Sequence, residues 1–307
     1  MEKRARGPLW SLPLQALLFF IGLAVAALPR GLELRLGRAF GRACIWLGLF
    51  KQRTVRENIA RALPELSADD QRRLLRANYE HYGILFFEFA HFFCPLSGHW
   101  RRYAARVSCL ENKETWDEAV ARGKGALFFS AHLGFWEMSA AAAGLAGMAP
   151  TIVTTVLKPG WLHDQITECR ASTGVSAAFH PGSMPAVMRA LRKGGAVAFM
   201  NDQYAPPPMG VPVLFFGVRV DTLAVVSALA RRTGAAVLPV LSYRRADGVT
   251  VVSIEPPLTE SELSGEGEGG TQAIAAHVES WVRRYPDQWL WMHRRFKNIS
   301  PRPVDPA

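Results

Sequence analysis

The sequence predicts an α/β domain built on a mostly parallel β-sheet with helices on its faces. Apolar runs of strand length, such as residues 126–129 and 195–200, alternate with helical segments from residue 108 onward. A β-branched run at 151–157 continues the pattern, and this alternation is typical of parallel strands joined by helices. With 307 residues and 49% hydrophobic side chains, the chain can bury a large core.

Each element follows from a local pattern of apolar residues. The predicted helices cover 116–122, 138–145, 162–172, 184–192, 222–233 and 271–284, and the predicted strands cover 126–129, 151–157, 195–200, 236–241 and 249–254. Upstream, residues 54–92 are predicted to be helical, with a break at Pro64. Ser67, followed by Asp69 and Asp70, indicates a capped helix start there.

Residues 9–28 contain no charged side chain, and twenty helical residues span about 30 Å, the thickness of a bilayer core. Basic residues precede the stretch and would place the N-terminus on the cytoplasmic side of the membrane. We predict a retained membrane anchor at residues 1–28. A helix lying in one leaflet is an alternative, and so is a cleaved signal peptide. The four cysteines have no paired or metal-binding spacing, which favours reduced thiols.

Residues 29–307 are predicted to form the main domain, in which residues 29–107 are helical. Arg35, Arg38 and Arg42 share one helical face, which can rest on anionic headgroups or be the solvated side of a core helix. The formal net charge of +10 fits a nucleic acid, an anionic membrane or an acidic carrier protein. The basic residues are interleaved with acids and no nucleic-acid motif is present, so we expect no nucleic-acid partner.

A histidine and a carboxylate follow the first apolar strand. His132 comes just after residues 126–129, and Glu137 lies five positions later, where a helix should begin. Histidine titrates in the range that a general base needs, and a carboxylate can orient the ring and stabilise the imidazolium. His163 and Glu168 have the same spacing but lie in a polar segment typical of an exposed helix. The alternative is that His132 is a buried, hydrogen-bonded histidine at a strand end.

Further motifs lie downstream of this pair. Asp202-Gln203 ends a predicted strand, Phe215-Phe216-Gly217 follows, and residues 286–297 read Pro-Asp-Gln-Trp-Leu-Trp-Met-His-Arg-Arg-Phe-Lys. Over nearly its whole length, the chain resembles the late acyltransferases of lipid A biosynthesis, a branch of the lysophospholipid acyltransferase superfamily. His132 and Glu137 match the superfamily's His-x4-acid signature. Residues 286–297 are similar to the family's ending, Pro-x-Gln-Trp/Tyr-x-Trp-x-His-Arg-Arg-Phe-Lys.

The resemblance implies that residues 29–307 transfer a fatty acyl chain from acyl carrier protein to a hydroxyl of a lipid A precursor, without a metal or cofactor. It also implies the bacterial inner membrane as the location, with the catalytic domain facing the cytoplasm. His132 would act as the base, Glu137 would orient it, and backbone amides near Gly134 would stabilise the oxyanion. The expected substrate-binding residues are Arg170, Asp202, Gln203 and Arg294.

The sequence departs from the family pattern at Asp221, at Lys158-Pro159 and over residues 179–185. These departures leave the acceptor open, so an acyltransferase acting on a phosphoinositide mannoside or another glycolipid is the first alternative. A membrane protein that binds lipid without catalysis is the second. Charge alone suggests a nucleic-acid-binding protein, which is the weakest of the three alternatives.

Overall fold

A mostly parallel β-sheet forms the centre of the protein, which confirms the fold class predicted from the alternating pattern. The structure is a computed structural model that describes residues 11–264, 269–297 and 299. The strands are β1 (Ser108–Glu111), β2 (Ala126–Ser130), β3 (Thr151–Thr155), β4 (Ser176–His180), β5 (Ala196–Met200), β6 (Gly210–Phe215), β7 (Val218–Leu223), β8 (Ala236–Arg244) and β9 (Thr250–Ile254). The helices are α1 (Leu12–Ala26), α2 (Arg30–Trp46), α3 (Gln52–Ala62), α4 (Ala68–Ala90), α5 (His99–Val107), α6 (Lys113–Ala121), α7 (Trp136–Leu145), α8 (Gly160–Ser172), α9 (Met184–Arg192), α10 (Val225–Thr233), α11 (Glu260–Ser264) and α12 (Gly269–Arg284).

The central sheet has the strand order β1-β9-β8-β2-β5-β3-β4 among the described residues. Its pairs are parallel, apart from the antiparallel pair β8 and β9. β2 lies between β5 and β8, and all of its residues are buried. A parallel strand covered on both faces must be apolar throughout, which explains the strong signal of residues 126–129.

The sequence patterns miss the antiparallel hairpin of β6 and β7. A helix is predicted at 222–233, but Thr222 and Leu223 belong to β7 and the helix begins only at Val225. Within β7, Val218, Val220 and Thr222 are buried while their neighbours are not, so the segment follows the period of two typical of a strand. The edge strands β1 and β4 are also missed, because their residues are mostly half-buried or exposed and give a weak apolar signal.

The predicted membrane-spanning anchor is not supported. In the part of the chain that the structure describes, no helix is long and apolar enough to cross a membrane. α1 has 15 residues, which gives a length of about 22 Å. It ends at Ala26, close to Pro29, which disfavours a helical conformation in the residue before it and begins the turn into α2. Residues 1–10 of the predicted anchor lie outside the described residues.

Helix α2 packs very closely against α4 through glycines. A Cβ at Gly41 would lie 2.0 Å from the carbonyl oxygen of Tyr79, and a Cβ at Gly83 would lie 2.0 Å from the carbonyl oxygen of Gly37. Only glycine permits this approach of two helix backbones. The glycine side of α2 therefore faces the protein, while Leu36 of α2 and Leu47 just after it are exposed.

Candidate active site

The loops after β2 and β5 bring His132 and Asp202 together at the carboxyl edge of the sheet. The two strands pair in parallel with Ser130 opposite Met200, so His132 and Asp202 each lie two residues beyond that pair. His132 Nδ1 is 2.8 Å from Asp202 Oδ1, and the His132 backbone amide donates to Asp202 Oδ2 at 2.8 Å. Carboxyl ends of strands in open α/β sheets are the usual position of functional residues.

Asp202 is buried, and Trp289 Nε1 donates to its Oδ2 at 2.9 Å. Burial raises the pKa of Asp202, but the charge of His132 and the hydrogen bonds from His132 and Trp289 outweigh burial and lower it to about 2. Burial lowers the pKa of His132, but the charge and hydrogen bond of Asp202 raise it above the ordinary 6.5. Ionised Asp202 can only accept, so neutral His132 carries its hydrogen on Nδ1 and keeps a lone pair on Nε2.

The carboxylate that holds the His132 ring is Asp202, and not Glu137 as the sequence predicts. Arg170 donates from Nε and Nη2 to the two Glu137 oxygens at 2.9 and 2.6 Å, and the two side chains are only 11% and 10% exposed. Glu137 lies in the first turn of α7, where its carboxylate meets Arg170 of α8. Its charge still contributes to the raised pKa of His132.

Three of the backbone amides at and before Gly134 are engaged within the protein. The N–H groups of His132, Leu133 and Gly134 each donate to another group of the protein. Gln203, which is half-buried, places its Nε2 atom 3.4 Å from Nδ1 and 3.5 Å from Nε2 of His132. The structure thus places a predicted binding residue, Gln203, against the ring, with an amide that can serve as a donor in the cleft.

The two C-terminal arginines have different environments. Arg294, which the sequence predicts to bind substrate, is exposed, whereas Arg295 is 1% exposed. Arg295 donates to the carbonyl oxygens of Gln203 and Asp221 at 2.8 and 2.9 Å, and to the hydroxyl of Thr222. Burial lowers the pKa of Arg295 to about 10. Arg295 therefore fixes the loop after β5 against β7, a role that the sequence did not indicate.

The C-terminal segment forms the wall behind Asp202. Trp289 and Trp291 are both buried, so they belong to the core and not to a membrane interface. Two buried asparagines, Asn58 of α3 and Asn78 of α4, each donate to two carbonyl oxygens of this segment at 2.7 to 2.9 Å. The sequence motifs do not predict these contacts, although a polar residue on the apolar face of a helix indicates a specific partner.

An apolar cavity of about 200 Å³ lies next to Trp136, whose ring centroid is 5.1 Å from that of His132. Phe89 of α4 and Met292 are among the residues that line it. Phe89 belongs to an aromatic segment at residues 86–93, in which Phe92 packs in the core instead.

A histidine with a buried carboxylate partner, at the end of a central strand and near an apolar cavity, defines an α/β enzyme suited to substrates with apolar chains. The model of the family described as "Bacterial lipid A biosynthesis acyltransferase" matches residues 10–298, and the chain belongs to this family of acyl-transferring enzymes. The match confirms the resemblance carried by the sequence motifs.

Individual relatives carry names that refer to lipid A or to phosphatidylinositol mannoside. The chain is 25% identical to the lipid A biosynthesis lauroyltransferase of Escherichia coli over 89% of this chain and 88% of that protein. It is 24% identical to the lipid A biosynthesis palmitoleoyltransferase of the same organism, over 83% and 80% of the two chains. It is also 28% identical to a phosphatidylinositol mannoside acyltransferase of Mycolicibacterium smegmatis, over 76% of each.

Proposed function

We propose that the protein transfers a fatty acyl chain from acyl carrier protein to a hydroxyl group of a lipid A precursor. The observation that carries the proposal is the 2.8 Å contact of His132 Nδ1 with buried Asp202, because it leaves Nε2 able to accept a proton. Family membership and the names of the Escherichia coli relatives support the acyl transfer and the class of acceptor.

In the proposed reaction, His132 Nε2 removes the proton from the acceptor hydroxyl, and the oxygen of that hydroxyl attacks the thioester carbonyl carbon. A tetrahedral intermediate forms, and the carbon–sulfur bond then breaks. The departing thiolate of the carrier takes the proton back from His132. Asp202 stabilises the imidazolium during this cycle, as the carboxylate of a catalytic triad does, and no enzyme residue is acylated.

The remaining predicted residues would bind the charged and polar parts of the substrates. We propose that Gln203 donates to the oxyanion, since its amide lies 3.5 Å from His132 Nε2. Arg170, held by Glu137, presents a fixed positive charge to a phosphate of the acceptor. Exposed Arg294 would contact lipid phosphates or the acidic carrier.

We propose that the enzyme works at the surface of the inner membrane, facing the cytoplasm, without a spanning helix in its described part. Several apolar side chains of α1 and α2 are at least 39% exposed. They are Leu12, Leu14, Leu17, Phe20, Leu23, Leu32, Leu36 and Trp46. Arg35 and Arg42 are exposed on the same pair of helices. Apolar residues with flanking arginines are typical of helices that lie in the headgroup region of an anionic membrane.

Mass spectrometry of products tests the proposal directly. Purified protein would receive an acyl carrier protein thioester with either a tetra-acylated lipid A precursor or a phosphatidylinositol mannoside, and His132→Ala is the control. We expect one added acyl chain on the lipid A precursor and roughly 10²–10⁴-fold less product with the control. The mycobacterial relative makes the mannoside the second candidate acceptor. Acylation of the mannoside alone would overturn the lipid A assignment.

The proposed base predicts a pH dependence. The pKa of His132 is raised above 6.5, and only the neutral ring can accept a proton, so kcat/KM should fall as the pH drops through a value above 6.5. Initial rates between pH 5 and 9, at saturating donor, measure this fall on the acidic side of the pH profile. A rate that stays constant down to pH 6 would contradict a base with this pKa.

A further inference from the structure

Buried His81 of α4 contacts the turn that carries His132. His81 Nε2 lies 3.1 Å from the carbonyl oxygen of Gly134, and Nδ1 lies 2.7 Å from Arg244 Nη1. A guanidinium can only donate, so Nδ1 accepts and Nε2 carries the hydrogen that is donated to Gly134. Burial and the charge of Arg244 lower the pKa of His81 well below 6.5, so the ring keeps this neutral form.

Gly134 is the residue at which the turn after His132 is held. Its φ angle of +62° lies in the left-handed region, and a Cβ there would come within 2.7 Å of the carbonyl oxygen of Ser242. The Gly134 N–H donates to the carbonyl oxygen of Gln288 at 3.1 Å, and its carbonyl accepts from His81. Both backbone polar groups are therefore tied to separate elements of the fold.

The Nδ1 atom of His81 contacts a buried cluster of ion pairs through Arg244. Arg244, the last residue of β8, pairs with Glu88 of α4, and their side chains are 5% and 0% exposed. Arg30 of α2 donates to the same Glu88 carboxylate and to the hydroxyl of Tyr103 at 2.8 Å. Because Arg244 is fixed by this cluster, rotation of the His81 ring would leave a buried guanidinium N–H without its acceptor.

We propose that His81 is a positioning residue, which fixes the turn at Gly134 so that Nε2 of His132 faces the acceptor hydroxyl. This inference rests on the proposed acyl transfer. A misplacement of about 1 Å at a reacting group can lower a rate by roughly 100-fold. Loss of the hydrogen bond from His81 to the turn can therefore lower kcat.

Two amide substitutions separate this role from simple packing. Glutamine is one carbon longer than asparagine, so His81→Gln can put an amide N–H where Nε2 donates to Gly134. His81→Asn reaches only to the position of Nδ1. We expect His81→Gln to keep kcat within about threefold of wild type and His81→Asn to lower it roughly 10- to 100-fold, with little change in KM. Equal kcat values for the two variants would overturn the proposal.

The matched control is His91→Gln, because His91 is equally buried but bonds to Glu33 and His99 instead of the turn. It should lower the melting temperature without lowering kcat. A loss of kcat as large as that of His81→Asn would assign both histidines a structural role.

An NMR titration of the His132 ring keeps the test independent of the proposed reaction. We expect the pKa of His132 to move toward its ordinary value in His81→Asn, as the contact with Asp202 loosens, and to remain raised in His81→Gln. If wild-type protein transferred no acyl chain while this difference was present, the proposed function would fail and the positioning role would stand. An unchanged titration in His81→Asn would refute the positioning role.

Discussion

Replacing Asp202 with asparagine should lower kcat/KM by roughly 10³–10⁴-fold without unfolding the protein. The amide would present an N–H or an uncharged oxygen to His132 Nδ1. With an N–H there, Nδ1 must accept, so the ring hydrogen moves to Nε2 and the lone pair required for proton removal is lost. With the oxygen there, the imidazolium loses its negative partner. Initial rates with an acyl carrier protein thioester and circular dichroism of the variant measure the two expectations.

Glu137→Gln is the matched control for Asp202→Asn, because it also neutralises one carboxylate near His132. In the described part of the chain, Glu137 makes no hydrogen bond to the His132 ring and acts on it through its charge. We expect a loss at least tenfold smaller than that of Asp202→Asn. A greater loss in Glu137→Gln than in Asp202→Asn would restore the sequence-based assignment of Glu137 as the orienting residue.

The sequence indicates both His132 and Asp202 as functional residues, but it does not indicate that they contact each other. His132 follows a strongly apolar strand, and Asp202 belongs to a family motif, so each was identified locally. That they touch depends on β5 being the neighbour of β2 and on Ser130 lying opposite Met200. Neighbour order and register in a sheet are long-range properties, which spacing along the chain does not contain. Spacing along the chain therefore favours Glu137, the carboxylate that is nearer to His132 in the sequence.

The N-terminal part shows a different limit of sequence patterns. Absence of charge over residues 9–28 predicts a spanning helix, but the helix that forms stops at Ala26 and packs beside the 3₁₀ turn at His91–Phe93. On α2, the sequence shows a basic face at Arg35, Arg38 and Arg42 and leaves open whether the helix meets a membrane or the core. The structure packs the side with Gly37 and Gly41 against α4, since only glycine permits so close an approach. Apolar composition therefore located α1, whereas backbone clearance at the glycines of α2 determines which face of α2 is buried.

Removing Arg170 should destabilise the protein more than removing Arg170 and Glu137 together. Arg170→Met leaves the Glu137 carboxylate only 10% exposed and without its partner, and unpairing a buried charge costs about 3 kcal/mol. The double variant Arg170→Met/Glu137→Gln removes both charges, so most of that loss should be recovered. Urea unfolding of the two single variants, the double variant and wild type gives the coupling energy between the side chains.

Activity in the same four proteins separates a structural ion pair from a substrate-binding arginine. If Arg170 contacts a phosphate of the acceptor, the double variant regains stability but keeps a raised KM for the lipid precursor, because the positive charge is still missing. Such an effect on KM should shrink at high salt, since screening weakens the charge attraction in wild type as well. Recovery of both stability and KM in the double variant would mean that the pair only braces α7 against α8. In that case the acceptor phosphates would be bound by other groups, such as exposed Arg294.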